Sequence, residues 1–150
     1  MDGEIGETGP SEALPLTSYT ILVVVDDEDT RTFLLAVLAD AGAHLCEAAD
    51  GDEALEVAAR ERPDLITLDL SMPGKDGVQT LCELRETPAL GETPVCVVTG
   101  HPEFRQVIYD RPTRPPEGFM NKPVDPDELV RTVRRILGLK RRREVRTRTT

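Results

Sequence analysis

Polar side chains that could handle a phosphoryl group follow four short apolar runs in this chain. The runs end at Asp26-Asp27, at Asp69, at Thr99 and at Lys122. The carboxyl ends of parallel strands form a single crevice in an open α/β sheet. We therefore expect these residues to meet, although they are far apart in the sequence. Three carboxylates, a hydroxyl and an ammonium suit Mg²⁺-dependent transfer of a phosphoryl group onto a protein carboxylate.

The predicted cleft needs a cation because its three carboxylates repel one another. Without a partner, some of them would protonate at neutral pH. A hard divalent ion, Mg²⁺ or Mn²⁺, removes this repulsion and can orient a phosphoryl group. The Lys122 ammonium and the Thr99 hydroxyl would then contact the equatorial phosphoryl oxygens. An aspartate nucleophile that forms an aspartyl-phosphate is established covalent chemistry.

Short apolar runs predict the strands that position these residues, and apolar residues at helical spacing predict the helices between them. Strands are expected at 20–25, 44–48, 65–69, 95–99 and 118–121, and helices at 28–41, 52–60, 78–85, 102–110 and 125–137. Gly42 should close the first helix, and Asp125 should cap the last helix, which Gly138 should end. Five βα units predict a doubly wound, five-stranded parallel sheet with right-handed crossovers in a single domain.

Length and composition limit the class of protein. The chain has 150 residues, the usual size of one domain, with 39% hydrophobic and 31% charged residues. No apolar stretch approaches the ~20 residues of a membrane span. Residues 1–18 lack the basic start and apolar middle of a secretory signal. We expect them to form a flexible arm, and we expect a cytoplasmic location.

The three cysteines show no C-x-x-C spacing. Cys46 and Cys96 fall in predicted strands, and Cys82 falls in a predicted helix. This placement favours buried free thiols over a metal site or a disulfide framework.

The net charge is unevenly distributed. The chain carries −10, but residues 140–150 contain six Lys or Arg and one Glu, which makes +5 and leaves −15 for residues 1–139. We expect the basic tail, residues 139–150, to be solvated and disordered. Contact of this tail with nucleic acid or an acidic partner stays an alternative.

Four motifs in order give the chain a family resemblance. They are V-D-D-E at 25–28, L-D-L-S-M-P-G-K-D-G at 68–77, V-T-G at 98–100 and N-K-P at 121–123. Each is weak alone, but together at the predicted strand ends they make a strong signal. Residues 19–138 resemble the receiver domains of two-component response regulators, which implies the flavodoxin-like version of the predicted fold.

The resemblance assigns a metal and phosphate site by position. It implies that Asp69 is the phosphorylated aspartate. The metal would be held by Asp27 directly, by Asp26 largely through water, by Asp69, and by the backbone carbonyl of Ser71. Thr99 and Lys122 match the phosphate-sensing pair.

Three further positions are candidates for control of the signal. Phe119 matches the aromatic switch position, although a permanently buried core aromatic is the alternative. Ser71 and His101 are candidate modulators of dephosphorylation, while a solvent-facing loop histidine is the simpler interpretation of His101.

The resemblance implies a stand-alone phosphoacceptor that signals through protein–protein contact, as a monomer or a phosphorylation-dependent dimer. Its partners would be a sensor histidine kinase or histidine phosphotransfer protein, and a downstream protein. A transcriptional regulator without its DNA-binding part, or a nucleic-acid regulator using the basic tail, are alternatives. An aspartate-nucleophile phosphatase is disfavoured because Ser71 stands where the second acid is needed. We therefore expect no turnover of a separate substrate.

One segment departs from the family pattern. Residues 110–116 read D-R-P-T-R-P-P, and proline ends a helix. We expect a short fourth helix followed by a stiff, basic loop. This leaves open how a signal would leave the domain.

Overall fold

Five parallel strands in the order β2-β1-β3-β4-β5 form the centre of the structure. The computed structural model describes residues 16–70 and 77–149. The strands are β1 Thr20–Val24, β2 His44–Ala48, β3 Leu65–Asp69, β4 Val95–Thr99 and β5 Gly118–Asn121. The predicted fold class is confirmed, and four of the five predicted strands have the observed bounds. Most of the predicted arm, and the loop that contains Ser71, lie outside the described residues.

Five α-helices alternate with the strands in this part of the chain. They are α1 Glu28–Asp40, α2 Gly51–Glu61, α3 Gly77–Glu86, α4 Phe104–Tyr109 and α5 Pro126–Thr149. After α1, Gly42 adopts φ +101°, the left-handed conformation that ends a helix without steric cost. The Asp125 carboxylate accepts a hydrogen bond from the Glu128 N–H at 2.9 Å, which confirms the predicted cap of α5.

The continuous apolar strands are explained by two cores, one on each face of the sheet. Successive residues of β1 point to opposite faces, so Leu22 joins one core and Ile21 and Val23 join the other. Helices α2, α3 and α4 cover the first face, and α1 and α5 cover the second. Because both faces are covered, the loops at the strand ends are the part of the sheet left for polar chemistry.

Two predictions at the ends of the domain are wrong. Residues 16–18 form a short 3-10 helix rather than part of an arm, and Leu16 is fully buried against the α1–α5 core. Helix α5 continues through Gly138 to Thr149, so the backbone there is helical rather than disordered. Glycine costs a helix only about 1 kcal/mol, and the following Leu, Lys and Arg residues are good helix formers.

The Pro-rich segment 110–116 is anchored by one arginine. Helix α4 is short, as predicted, although it covers Phe104–Tyr109 rather than 102–110. Arg85 of α3 reaches across to the loop that follows α4. Its guanidinium donates to the carbonyls of Thr93 at 2.8 Å, Arg114 at 3.1 Å and Pro115 at 2.9 Å. It also pairs with Glu117 Oε1 at 3.0 Å, which accepts the N–H of Val95 at 2.8 Å. The segment is therefore built into the fold at the amino ends of β4 and β5.

The cysteines are free, as predicted. Cys96 is fully buried, and burial raises the pKa of its thiol to about 12. Cys46 and Cys82 are half-buried, and burial raises the pKa of Cys46 to about 11. Neither Cys46 nor Cys96 is therefore a ready thiolate at neutral pH. Among the described residues, no helix is long and apolar enough to cross a bilayer.

Replacing Arg85 by Met should lower the free energy of unfolding by about 3–5 kcal/mol, because it removes the buried ion pair with Glu117 and takes the guanidinium donors away from three carbonyls. Urea denaturation measures the change. Arg60→Met is the matched control, since Arg60 pairs with Glu61 at 3.1 Å while its side chain is 63% exposed. The control should change stability by less than about 1 kcal/mol. Equal effects of the two substitutions would contradict the anchoring role of Arg85.

Candidate phosphoacceptor site

An ion pair between Asp69 and Lys122 lies at the carboxyl edge of the sheet. Asp69 is the last residue of β3 and is only 1% exposed, because strands flank it on both sides. Lys122 follows β5, and its Nζ lies 3.0 Å from Asp69 Oδ2. The Lys122 N–H donates to the Thr99 carbonyl at 2.8 Å, which ties the end of β5 to the end of β4. The fold thus brings together two predicted site residues that are 53 positions apart.

Asp26 and Asp27 form an exposed acidic turn between β1 and α1. Asp27 caps α1, and its Oδ2 accepts hydrogen bonds from the Thr30 N–H at 2.8 Å and from the Thr30 hydroxyl at 2.6 Å. These bonds are the main reason that the pKa of the Asp27 carboxyl lies below its ordinary value of 3.8. The positive charges of Lys122 and Arg31 act in the same direction. Asp27 therefore stays an anion throughout the neutral range, next to the Asp69–Lys122 pair.

Thr99 is fully buried at the end of β4, and its hydroxyl faces the loop that follows. The Thr99 Oγ1 accepts the His101 N–H at 2.9 Å and lies 3.3 Å from the His101 carbonyl. The His101 side chain is exposed, and its Nδ1 lies 3.5 Å from Glu103 Oε2. The His101 side chain therefore projects into solvent, while the backbone N–H and carbonyl of the same residue hold the Thr99 hydroxyl.

Phe119 of β5 is half-buried rather than fully enclosed. Its ring packs against the core on the α2–α4 face. The Arg105 guanidinium lies 5.4 Å from the centroid of this ring and 5.8 Å from that of Tyr109. These distances allow cation–π attraction to both rings. A basic side chain of α4 therefore covers the aromatic residue that follows Gly118.

The acidic residues supply the hard oxygen ligands that Mg²⁺ prefers. Asp26, Asp27 and Asp69 offer carboxylate oxygens, and Asp27 is held in its anionic form. Over residues 16–70 and 77–149, however, no three His, Cys, Asp or Glu side chains lie close enough together to hold a metal ion. The Asp27 carboxylate faces Thr30, and that of Asp69 faces Lys122. The donor chemistry fits a magnesium ion, but the three carboxylates do not form one cluster in this arrangement.

Two residues near the site, Gly77 and Arg31, were not predicted from the sequence to contribute to it. A Cβ on Gly77 would lie 2.4 Å from the Leu70 Cα and 2.6 Å from the Asp69 carbonyl, so only glycine lets α3 start this close to the end of β3. Arg31 contacts the backbone of the acidic turn. Gly77 and Arg31 both act through contacts with backbone atoms, and such contacts cannot be predicted from the pattern of side-chain types. The Asp76-Gly77 pair inside the quoted motif is the one signal in the sequence that pointed to the first.

Comparison with known proteins identifies the family. The family model for the response regulator receiver domain matches residues 21–134, which include both strand ends of the Asp69–Lys122 pair. The chain belongs to this family. Its receiver fold is shared with the chemotaxis response regulator CheY4 of Vibrio cholerae, with a TM-score of 0.71 and 31% identity over 79% of this chain and 98% of that one.

Relatives of the receiver domain differ in length. An uncharacterised 14.6 kDa protein of Leptolyngbya boryana is 40% identical over 79% of this chain and 89% of its own length. The transcriptional regulatory protein PrrA of Mycobacterium tuberculosis is 38% identical over 85% of this chain but only 52% of its own length. The chain therefore spans nearly all of one relative and about half of the other.

Removing the Thr30 hydroxyl should raise the pKa of Asp27 toward 3.8. Because the folded-state pKa is the lower one, ionised Asp27 stabilises the fold above pH 3.8, and this contribution disappears as the pH falls through the folded-state value. In Thr30→Val this contribution should be smaller, and its loss should be complete at a higher pH than in the wild type. Titration of the Asp27 carboxyl carbon by NMR measures the shift. Thr32→Val, at an exposed position of the same helix, should leave the titration unchanged; a shift of equal size would reject the assignment.

A double-mutant cycle should reveal coupling between Asp69 and Lys122. Lys122→Met removes the ammonium and keeps the apolar stem, so a nearly inaccessible carboxylate loses its cation. We expect a loss of about 1–3 kcal/mol in the free energy of unfolding. The same substitution in an Asp69→Asn background should cost much less. Equal losses in the two backgrounds would show that the ion pair contributes nothing to folding.

Proposed function

We propose that this receiver domain accepts a phosphoryl group on Asp69 from a phosphohistidine of a sensor kinase or phosphotransfer protein. The observation that carries the proposal is the 3.0 Å contact between Lys122 Nζ and Asp69 Oδ2 at the end of the sheet. A buried carboxylate beside an ammonium can act as a nucleophile whose product charge is compensated as it forms. The family membership supports the same assignment.

The transfer exchanges one bond to phosphorus for another. A carboxylate oxygen of Asp69 attacks the phosphorus in line, a P–O bond forms, and the P–N bond of the phosphohistidine breaks. The electron pair goes to the imidazole, which takes up a proton. Lys122 neutralises part of the negative charge on the equatorial oxygens, and Thr99 can turn its hydroxyl from the His101 backbone to one of them.

Asp26, Asp27 and Asp69, with the backbone carbonyl of Ser71, would hold Mg²⁺ or Mn²⁺. When bound, such an ion offsets the repulsion between the carboxylates and the incoming phosphoryl group. The permanent charge of Asp27 and the exposure of the acidic turn support this assignment. Asp27 would have to share its carboxylate between the ion and Thr30.

The domain would act in the cytoplasm, and a partner protein would recognise its phosphorylated form by direct contact. Phosphorylation adds close to two negative charges beside Thr99 and Lys122. Movement of the Thr99 hydroxyl would change the packing around Phe119. This residue lies in β5, two strands away from the acceptor in β3. The match to nearly all of CheY4 supports a stand-alone receiver, and the match to half of PrrA supports the alternative, the receiver part of a transcriptional regulator.

Incubation with acetyl phosphate and Mg²⁺ should add one phosphate to the protein, as measured by intact mass spectrometry. The adduct should be lost on treatment with hydroxylamine, because an acyl phosphate reacts with this nucleophile. Asp69→Asn should abolish the adduct, since an amide oxygen is a poor nucleophile. Asp40→Asn, an exposed acid at the far end of α1, should behave like the wild type. An adduct of the same size that persists in Asp69→Asn would reject the proposal.

A further inference from the structure

Arg31 lies in the first turns of α1, and its side chain contacts the backbone of the acidic turn that contains Asp26 and Asp27. Its Nη1 donates to the Val25 carbonyl at 2.8 Å and lies 3.4 Å from the Asp26 carbonyl. Its Nε pairs with Glu47 Oε1 of β2 at 3.0 Å, and its side chain is only 18% exposed. The planar guanidinium therefore joins the turn to the neighbouring strand.

Together with the hydrogen bond from the Arg31 backbone N–H, these contacts engage the carbonyl of every residue that connects β1 to α1. The connection is residues 25–27. Besides the two carbonyls held by the guanidinium, the Asp27 carbonyl accepts the Arg31 N–H at 2.9 Å. On the other side, the Val25 N–H donates to the Ala48 carbonyl at 3.1 Å. The backbone that carries Asp26 and Asp27 is thus fixed by one arginine and one edge of the sheet.

We propose that Arg31 is a positioning residue for the divalent cation on which phosphoryl acceptance depends: it holds the backbone turn that carries Asp26 and Asp27 at the same edge of the sheet as the Asp69–Lys122 pair. This inference rests on the proposed function. Arg31 acts through the carbonyls of the turn and does not touch the reacting atoms. Glu47 orients the guanidinium by holding its Nε, which leaves Nη1 aimed at the turn.

Charge alone predicts the opposite effect. Arg31 places a positive charge next to residues that would bind a divalent cation, so removing this charge should strengthen cation binding. If Arg31 instead fixes the turn, its removal should weaken binding, since the entropy of ordering the carboxylates must then be lost on binding. The sign of the change separates the two roles.

The test is the affinity of the intact chain for Mn²⁺ alone, measured by electron paramagnetic resonance of the free ion. Loss of a group that orients metal ligands typically costs 10–100-fold in affinity. We expect Arg31→Gln to weaken binding about tenfold. Arg31→Lys keeps the charge but lacks the guanidinium fork, so it should also bind more weakly than the wild type. Tighter binding in Arg31→Gln with unchanged binding in Arg31→Lys, or unchanged binding in both, would overturn the proposal.

Three controls keep the result specific. Arg60→Gln removes a positive charge at an exposed site on α2 and should leave Mn²⁺ affinity unchanged. Thermal unfolding without metal shows whether each variant is folded. Glu47→Gln removes the ion pair but leaves Arg31 able to reach the turn, so it should weaken binding by less than Arg31→Gln; an equal or larger loss would assign the positioning role to Glu47 instead.

Phosphorylation by acetyl phosphate then separates this inference from the proposed function. At low metal concentration the phosphorylation rate of Arg31→Gln should fall below that of the wild type by about the loss in affinity, and the deficit should shrink as the Mn²⁺ or Mg²⁺ concentration rises. If the wild type takes no phosphate on Asp69, the proposed function fails while the Mn²⁺ affinities still decide the role of Arg31. If the wild type is phosphorylated and Arg31→Gln matches it at every metal concentration, the positioning role alone is rejected.

Discussion

A buried carboxylate needs a compensating charge, and this requirement organises the carboxyl edge of the sheet. Asp69 is 1% exposed, and an isolated ionised carboxylate at such a site is costly. Lys122 provides the cation from β5, two strands away from β3 in the sheet order. Its reach requires that β4 and β5 end at the same level. The hydrogen bond from the Lys122 N–H to the Thr99 carbonyl meets this condition.

The covering of both faces of the sheet explains why the chemistry is confined to its edge. Buried parallel strands have apolar side chains on both sides, and Ile21 to Val24 of β1 are all buried in the two cores. The polar residues of the site therefore lie at the ends of the strands, such as Asp69 at the end of β3 and Thr99 at the end of β4. The opposite edge uses the same principle for stability: Arg85 binds carbonyls of two loops at the amino ends of β4 and β5. One fold thus separates a reactive edge from an anchoring edge.

The sequence was sufficient for features that depend on side-chain pattern. The sequence pattern predicted β2 to β5 at their observed bounds, and the continuous apolar runs are those of β3 and β4. The residues at the strand ends pointed to Asp69 and Lys122, which the structure places in contact. Features that depend on backbone atoms were not predictable in this way. Arg31 and Arg85 bind carbonyls, and carbonyls are present at every residue. Gly138 predicts a helix end, but the helix formers that follow it outweigh its cost of about 1 kcal/mol, so α5 continues to Thr149.

Because the fourth helix is short, its attachment to the domain depends on a few side chains that lie between the site and the outer surface. With six residues, α4 has one fully inward apolar anchor, Ile108, among those described. Arg105 adds a second attachment through its contacts with the rings of Tyr109 and Phe119. Phe119 pairs with Val97 in the sheet, two residues before Thr99. A change in the packing of Phe119 must therefore either break the contact with Arg105 or carry α4 with it. Arg85 fixes the Pro-rich loop beyond the carboxyl end of α4, whereas the amino end of α4 follows the loop that begins after Thr99.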